Sequence, residues 1–227
     1  MYSRTAGEGT TVRTFGVSGR LWHGVLVMYD RESESLWTQI DGRAIQGPAQ
    51  GQHLEHVPST FTTWSAWREQ YPETLVLEKD AEALEQKESH YADYLDDPDR
   101  LLFPHLAEGL GGLGPKGLIF GITVDGESLA ISAELLAAEQ IVNAVVADVP
   151  VAWLADRRTG FPIAVDRRTP DGVLVLRPAD DENPAERSAD ALSGRSIDPT
   201  DLARVRVDRT FWYAWRRSHP DSRALSQ

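Results

Sequence analysis

Trp64-Ser65-Ala66-Trp67-Arg68-Glu69-Gln70-Tyr71-Pro72-Glu73-Thr74 returns late in the chain as Trp212-Tyr213-Ala214-Trp215-Arg216-Arg217-Ser218-His219-Pro220-Asp221-Ser222. Upstream of each copy stands another matched piece, Gly42-Arg43-Ala44-Ile45 against Gly194-Arg195-Ser196-Ile197. Before that, Tyr2-Ser3-Arg4 matches Val165-Asp166-Arg167. Three pieces in one order, separated by loops of altered length, read as a duplicated module. Within the best-matched piece, Thr62 and Thr63 can supply an N-cap oxygen and the following residues have helical composition. Pro72, like Pro220 in the second copy, then stops the helix, because proline lacks an N–H and restricts the residue before it. Trp64 and Trp67 lie at i and i+3, as do Trp212 and Trp215. Each pair therefore shares one helix face and is expected to plug the end of a sheet, a core role preferred here to a ligand-stacking platform.

Working outward, most of the remaining sequence reads as strands. Leu118–Val124, the turn Asp125-Gly126 and residues 128–131 predict a hairpin, followed by a short Ala/Leu/Glu-rich helix over 132–140. A second hairpin follows over 141–146 and 149–154. Further strands are expected at 161–165, 173–176 and 204–207, with Thr169-Pro170-Asp171-Gly172 as a turn and the polar stretch 177–189 as a surface loop. In the first copy the comparable strands are 11–17, 21–29 and 35–40, with the turn Asp41-Gly42. The expected fold is mainly β, a β-rich α+β class. It holds two repeated antiparallel-sheet modules, each closed by a short tryptophan-bearing helix. The first module, residues 1–77, is incomplete, because it opens at the equivalent of Ala164 without the leading hairpins and helix. Residues 78–115 read as a linker, acidic over 78–88 and ending in Gly109-Leu110-Gly111-Gly112-Leu113-Gly114-Pro115, with its middle docked on a module. Residues 116–227 form the complete second module. The open sheet edge of the first is expected to be covered by a partner, or else Met1 is not the native start.

Composition limits what such modules can do. The 227 residues carry a formal charge of −12, which disfavours nucleic acid and anionic membranes as general partners. No window is apolar over the 18 or more residues that a spanning helix needs, and the N-terminus has no apolar leader core, so the chain as written reads as cytoplasmic. There is no cysteine, which excludes disulfides, thiolate nucleophiles and cysteine-ligated metals. His53 and His56 are spaced for a turn-borne metal site, but on a strand i and i+3 face opposite ways, and no metal or cofactor is expected.

Phe15-Gly16-Val17-Ser18-Gly19, the run Leu26-Val27-Met28-Tyr29-Asp30-Arg31-Glu32-Ser33-Glu34-Ser35-Leu36-Trp37-Thr38-Gln39, and Gly42-Arg43-Ala44-Ile45 resemble the signature of the uncharacterised prokaryotic family DUF3179, a domain of unknown function. Later pieces fit as well: Leu102-Phe103-Pro104, Pro115-Lys116, Val142-Asn143, Val149-Pro150-Val151, and Phe211-Trp212-Tyr213-Ala214-Trp215 with Pro220-Asp221. The resemblance implies no established activity. It implies export signals or lipoprotein leaders in many members, hence an envelope location if a leader was lost upstream of Met1. It also implies a Tyr-Cys-Pro-x-Cys stretch and a His-Glu-bearing segment ahead of the position of Tyr2. In the second module Asp156 and Thr159 stand where those cysteines would be, and Glu139 to Ala144 replace the His-Glu segment. His23-Gly24-Val25 replaces an Asn-Ser-Asp piece.

The candidate ligand-binding residues are Ser18, His23, Tyr29, Asp30, Arg31, Trp37 and Gln39. Asp30-Arg31, with Asp166-Arg167 as a partial echo, reads as a buried ion pair fixing a turn or as a clamp for an anion. Trp37 and Gln39 alternate on a strand and so share a face that could line a pocket with Tyr29, although core plus sheet surface is the preferred reading. His23 could donate a proton at a pocket edge or be a satisfied strand histidine. Ser18 lacks an evident base, and no catalytic residue is assigned. Three functions remain open: a non-catalytic binding module of the envelope, which leads; a fragment of a redox- or metal-linked enzyme whose Cys/His half-module lies elsewhere; and a structural subunit whose edge pairs with a partner.

Overall fold

The computed structural model describes residues 1–6, 12–57, 59, 61–78, 91–98, 100–179 and 182–226. Of the acidic run 78–88, only Glu78 lies among them. The fold is mainly β, its strands gathered in several small sheets with one parallel pairing among antiparallel ones. In the N-terminal segment, β1 (Tyr2–Ala6) pairs with a distant strand, while β2 (Phe15–Trp22), β3 (Val25–Asp30), β4 (Leu36–Thr38) and β5 (Ala44–Gln46) form a four-stranded meander. The partner of β1 is β6 (Leu54–His56), and α1 (Trp64–Gln70) follows. Trp37, Ala44, Ala49 and Leu54 make the small core of this segment.

Two short turns of helix come next, α2 (Ala92–Asp96) and a 3-10 turn over Pro104–Leu106. The middle of the connecting stretch is tied to the C-terminal segment. The buried Lys116 ammonium donates to the carbonyls of Tyr94 and Asp97, and Leu101, Leu106, Leu110 and Leu113 pack around Trp212 and Ile119. An ammonium held by carbonyls keeps its charge satisfied under partial burial, where an unpaired one would be costly.

The C-terminal segment opens with the hairpin of β7 (Leu118–Val124) and β8 (Glu127–Ser132), then α3 (Ala133–Glu139), then the hairpin of β9 (Ile141–Val146) and β10 (Val149–Leu154). Tight two-residue turns carry both hairpins, Asp125-Gly126 at φ 46° and 85° and Ala147-Asp148 at φ 48° and 62°, the left-handed pairing that matches strand twist. Ser132 caps α3 by accepting from Leu135 N at 3.1 Å. There follow β11 (Ile163–Asp166), β12 (Arg168–Thr169), β13 (Gly172–Val173), β14 (Leu176–Pro178), β15 (Ser188–Asp190), β16 (Ser196–Ile197), β17 (Arg204–Val205) and β18 (Asp208–Phe211). The chain closes with α4 (Trp212–Ser218) and β19 (Arg223–Leu225), which joins β8 in parallel. One sheet runs β18-β7-β8-β19, a second runs β17-β11-β10-β9, and Phe120, Ile122, Leu129, Ile131, Val151 and Trp153 fill the space between them.

Matched pieces of sequence adopt matched local geometry. Thr38 N donates to Arg43 O at 2.9 Å, and Asp190 N donates to Arg195 O at 2.9 Å. Both turns then pass through a left-handed glycine, Gly42 at φ 64° and Gly194 at φ 72°. In the first turn the hydroxyl of Thr38 meets the carboxylate of Asp41; in the second the carboxylate of Asp190 meets the hydroxyl of Ser193, the two roles exchanged. The helices agree as well. Trp67 Nε1 donates to Thr74 Oγ1 at 2.9 Å, and Trp215 Nε1 donates to Ser222 Oγ at 2.7 Å.

The segments touch. Arg206 pairs with Asp208 at 2.7 Å and donates to the Tyr2 hydroxyl and the Ile40 carbonyl. Ile40 joins the cluster around Trp212 and Trp215. At the tip of the β2–β3 hairpin a Cβ on Gly24 would lie 2.8 Å from the Tyr213 ring, so only glycine lets the tip seat there.

One expectation needs correcting. The stretch 177–189 is not simply a surface loop: β14 and β15 pair within it, and Ser188, Ala189 and Pro184 are buried. Two- and three-residue strands bounded by prolines give no periodic signal, and here side chains set the pairing from outside. Asn143 donates to Leu176 O at 2.7 Å and accepts from Leu176 N at 3.0 Å.

Candidate functional site

The sequence brings Asp30 and Trp37 together, but inside the protein. Asp30 is fully buried and accepts from Ser33 N at 2.6 Å, from the Ser33 hydroxyl and from Trp37 Nε1 at 2.7 Å. Its ionic partner is Arg13 at 3.3 Å, across the mouth of the β2–β3 hairpin, and not the expected neighbour Arg31. Burial pushes the Asp30 carboxyl up, yet the hydrogen bonds from Trp37 and Ser33 and the charge of Arg13 outweigh it and hold the group below its ordinary value. Asp166 likewise pairs with Arg168 and not with Arg167. Arg31 already lies in the turn after β3, its guanidinium 5.4 Å from the Tyr29 ring centre, and Arg167 bonds to the carbonyls of Val151, Ala144 and Leu174, so neither sequence neighbour pairs with the carboxylate before it.

The depressed Asp30 value fixes a sign. A carboxylate stabilised in the folded state contributes fully above the unfolded value of about 3.9, and its contribution disappears as pH falls through the lower folded value. Asp30→Asn is therefore expected to cost about 2 kcal/mol at pH 7. The gap between variant and wild type in urea midpoint should close on acidification below about pH 4. A gap that stays constant down to pH 2 would show that the charge of Asp30 contributes nothing.

The other candidates lie apart. Tyr29 lies over Gly16, where a Cβ would be 2.6 Å from its ring, and the exposed Arg31 guanidinium sits 5.4 Å from the Tyr29 ring centre. Ser18 Oγ donates to Val27 O at 2.6 Å and accepts from Arg20 N, stitching the register shift between Val17 and Leu21. Trp37 and Gln39 do not share a face: β4 ends at Thr38, Trp37 is core, and Gln39 is exposed in the turn. The alternative of a pocket lined by Tyr29, Trp37 and Gln39 is not formed among the described residues.

His23 occupies the tip of the β2–β3 hairpin at φ 53°, at the opposite end of that hairpin from Asp30. It borders a shallow cleft of about 260 Å³ lined also by Gly109, Leu110, Arg216, Arg217 and Pro220. Arg217 is spent on backbone, donating to Leu106 O at 2.9 Å and Glu108 O at 2.8 Å. Burial, then the charges of Arg217 and Arg43, lower the His23 pKa, which favours the neutral imidazole. Among the described residues no group of three His, Asp or Glu side chains could hold a metal ion, and no helix is long and apolar enough to cross a membrane.

A different surface stands out, and the reading of Trp64 and Trp67 as a sheet plug did not anticipate it. On α4 the tryptophans are sealed, Trp212 at 3% and Trp215 at 0% exposure, with Trp215 lying over β7 so closely that a Cβ on Gly121 would be 2.4 Å from its ring. On α1 the corresponding Trp64 is 50% exposed, Tyr71 is exposed where it packs on Trp67, and the exposed Phe61 lies edge-on to Phe161. Directly after α1, Leu75 and Leu77 are 94% and 93% exposed, in the places that Arg223 and Leu225 take in β19. Such an apolar run in water is unusual for a surface with no partner.

A family model, Protein of unknown function (DUF3179), matches residues 1–222. The chain belongs to the DUF3179 family. No curated protein and no solved structure matches it. In this DUF3179 chain the run Met28-Tyr29-Asp30-Arg31 through Trp37 folds into the β3–β4 hairpin, anchored by Asp30, Ser35 and Trp37, all buried. The sequence marked Arg167 of this DUF3179 chain but not its role. Arg167 is buried and donates to the carbonyls of Val151 at 2.9 Å, Ala144 at 3.0 Å and Leu174. Arg4, in the matching piece Tyr2-Ser3-Arg4, is exposed. The signal was present in the alignment of Tyr2-Ser3-Arg4 with Val165-Asp166-Arg167, but equal residues do not reveal unequal burial.

Proposed function

We propose that this chain is a non-catalytic binding module of the cell envelope. It carries one β-rich module twice, incomplete over 1–77 and complete over 116–227, joined by 78–115. It works by offering the uncovered helix face of the first copy to another polypeptide. The observation that carries this reading is the contrast between two helices of the same sequence pattern: α4 is sealed against a sheet, while Trp64 on α1, Tyr71 at its end and residues 75–77 after it are exposed, with only Ala66 of α1 buried. The polar groups that might have done chemistry support a non-catalytic role, because Asp30, Ser18 and Arg167 each spend their hydrogen bonds on holding strands together.

The test is a photo-crosslinking residue placed at position 64, 75 or 77 of the full chain in its source cells. Exposed Leu192, far from α1 in the sequence, serves as control position. Crosslinks to a polypeptide from 64, 75 and 77, and none from 192, are expected. Equal yields at all four positions would sink the reading.

A further inference from the structure

The tip of the β2–β3 hairpin is a two-residue turn, His23-Gly24, at φ 53° and 79°. Turns of this kind favour asparagine, aspartate or glycine at the first place, because other side chains are strained there. Histidine runs against that preference, and strain of this sort gathers where a side chain has a task. The tip is also held in place. Gly24 lies against the Tyr213 ring and Leu106, and Trp22 packs on the imidazole with ring centres 4.7 Å apart. His23 is thereby fixed opposite the C-terminal end of α4, across the cleft of about 260 Å³ that it borders.

To that cleft His23 brings one hydrogen-bond donor. Its Nδ1 is closed to solvent and has no partner among the described residues, which leaves Nε2 as the open nitrogen. An unpaired N–H is the costlier group to bury, so the neutral ring carries its proton on Nε2 and offers it to the cleft. Two cations come from the other side. Arg216 has no hydrogen-bond or salt-bridge partner among the described residues, and Arg217 bonds there to carbonyls alone, which leave its charge uncancelled. Gly109, Leu110 and Pro220 complete the wall, so no carboxylate lines it. Asp41 acts on His23 through charge, but more weakly than Arg217 and Arg43. In a chain of net charge −12, a cleft whose ionic lining is wholly cationic has the chemistry of an anion receptor.

We infer that this cleft binds the oxyanion group of a small molecule, a carboxylate or a phosphate, held by Arg216, Arg217 and Nε2 of His23. Leu110 and Pro220 offer apolar contact to the rest of that molecule. No residue of α1 borders the cleft, so the site stands whether or not α1 is a binding face.

The experiment titrates the full chain, with histidine and arginine side chains labelled with nitrogen-15, with sodium acetate and separately with sodium phosphate. Sodium chloride keeps the ionic strength constant, and the His23 ring signals and the Arg216 Nε signal are followed. Both are expected to shift saturably with at least one anion; acetate alone assigns a carboxylate, phosphate alone a phosphate group, and both an oxyanion of either kind. Affinity should fall roughly tenfold or more in Arg216→Gln and in His23→Asn. Asparagine suits the left-handed turn, so the second variant keeps the hairpin tip. Arg177→Gln removes the same charge from an exposed position in β14 and should change affinity by less than about twofold. Shifts that never saturate, that chloride reproduces, or that are the same in Arg216→Gln as in the unmodified chain overturn the inference. An equal loss in Arg177→Gln overturns it too, because general charge and not this cleft would then hold the anion.

Discussion

Trp215→Ala will cost about 3–5 kcal/mol of unfolding free energy, whereas Trp64→Ala, at the position matched to Trp212, will cost less than about 1 kcal/mol. Trp215 is fully enclosed, so its removal opens a cavity over Gly121 that the rigid β7 backbone cannot fill, and it strips Ser222 Oγ of its indole donor. Trp64 is half in water, and its deletion leaves no enclosed void. Denaturant melts of both variants at one protein concentration decide the matter. Equal losses would mean that α1 is packed as tightly as α4, and the binding surface proposed for it would not exist.

Arg167→Leu should be nearly as damaging, at about 3–4 kcal/mol, while Arg4→Leu should be close to neutral. The guanidinium of Arg167 satisfies three carbonyls from three stretches of chain, and leucine of similar bulk would leave each of them buried with one bond fewer. Among the described residues no carboxylate forms a salt bridge with Arg167; Asp166, bonded to Arg168, acts on it through charge alone, a smaller influence than its burial. The loss should therefore be insensitive to salt, unlike that of a surface ion pair. A strongly salt-dependent loss would show that Arg167 acts through long-range charge and not through these three bonds.

The helices and turns were legible because local rules decide them. Thr63 caps α1 by accepting from Ala66 N at 3.2 Å, the residues before Pro72 and Pro220 end their helices, and Asp125-Gly126 turns a hairpin. The mainly β class followed from β-branched runs bounded by turn residues. What stayed hidden depended on partners remote in sequence. Nothing near Asp30 announces Arg13 as its counter-ion, and the sheet that covers Trp212 while the corresponding Trp64 stays exposed is set by which strands lie opposite, which no helix face encodes. The shared face read for Trp37 and Gln39 has a smaller flaw: strict alternation was extended one residue past the end of β4.

The Arg206 clamp on Tyr2 and Ile40 carries a consequence for biosynthesis. Tyr2 and Arg206 stand 204 positions apart and Ile40 and Arg206 stand 166 apart, so the N-terminal meander stays undocked until the C-terminal segment has been made. Until then β7 lacks the cover of β18 and α4, its apolar Ile119 and Phe120 open. Contacts so distant along the chain close slowly, and a polypeptide that has not yet closed them is the form most prone to sticking and most dependent on chaperones.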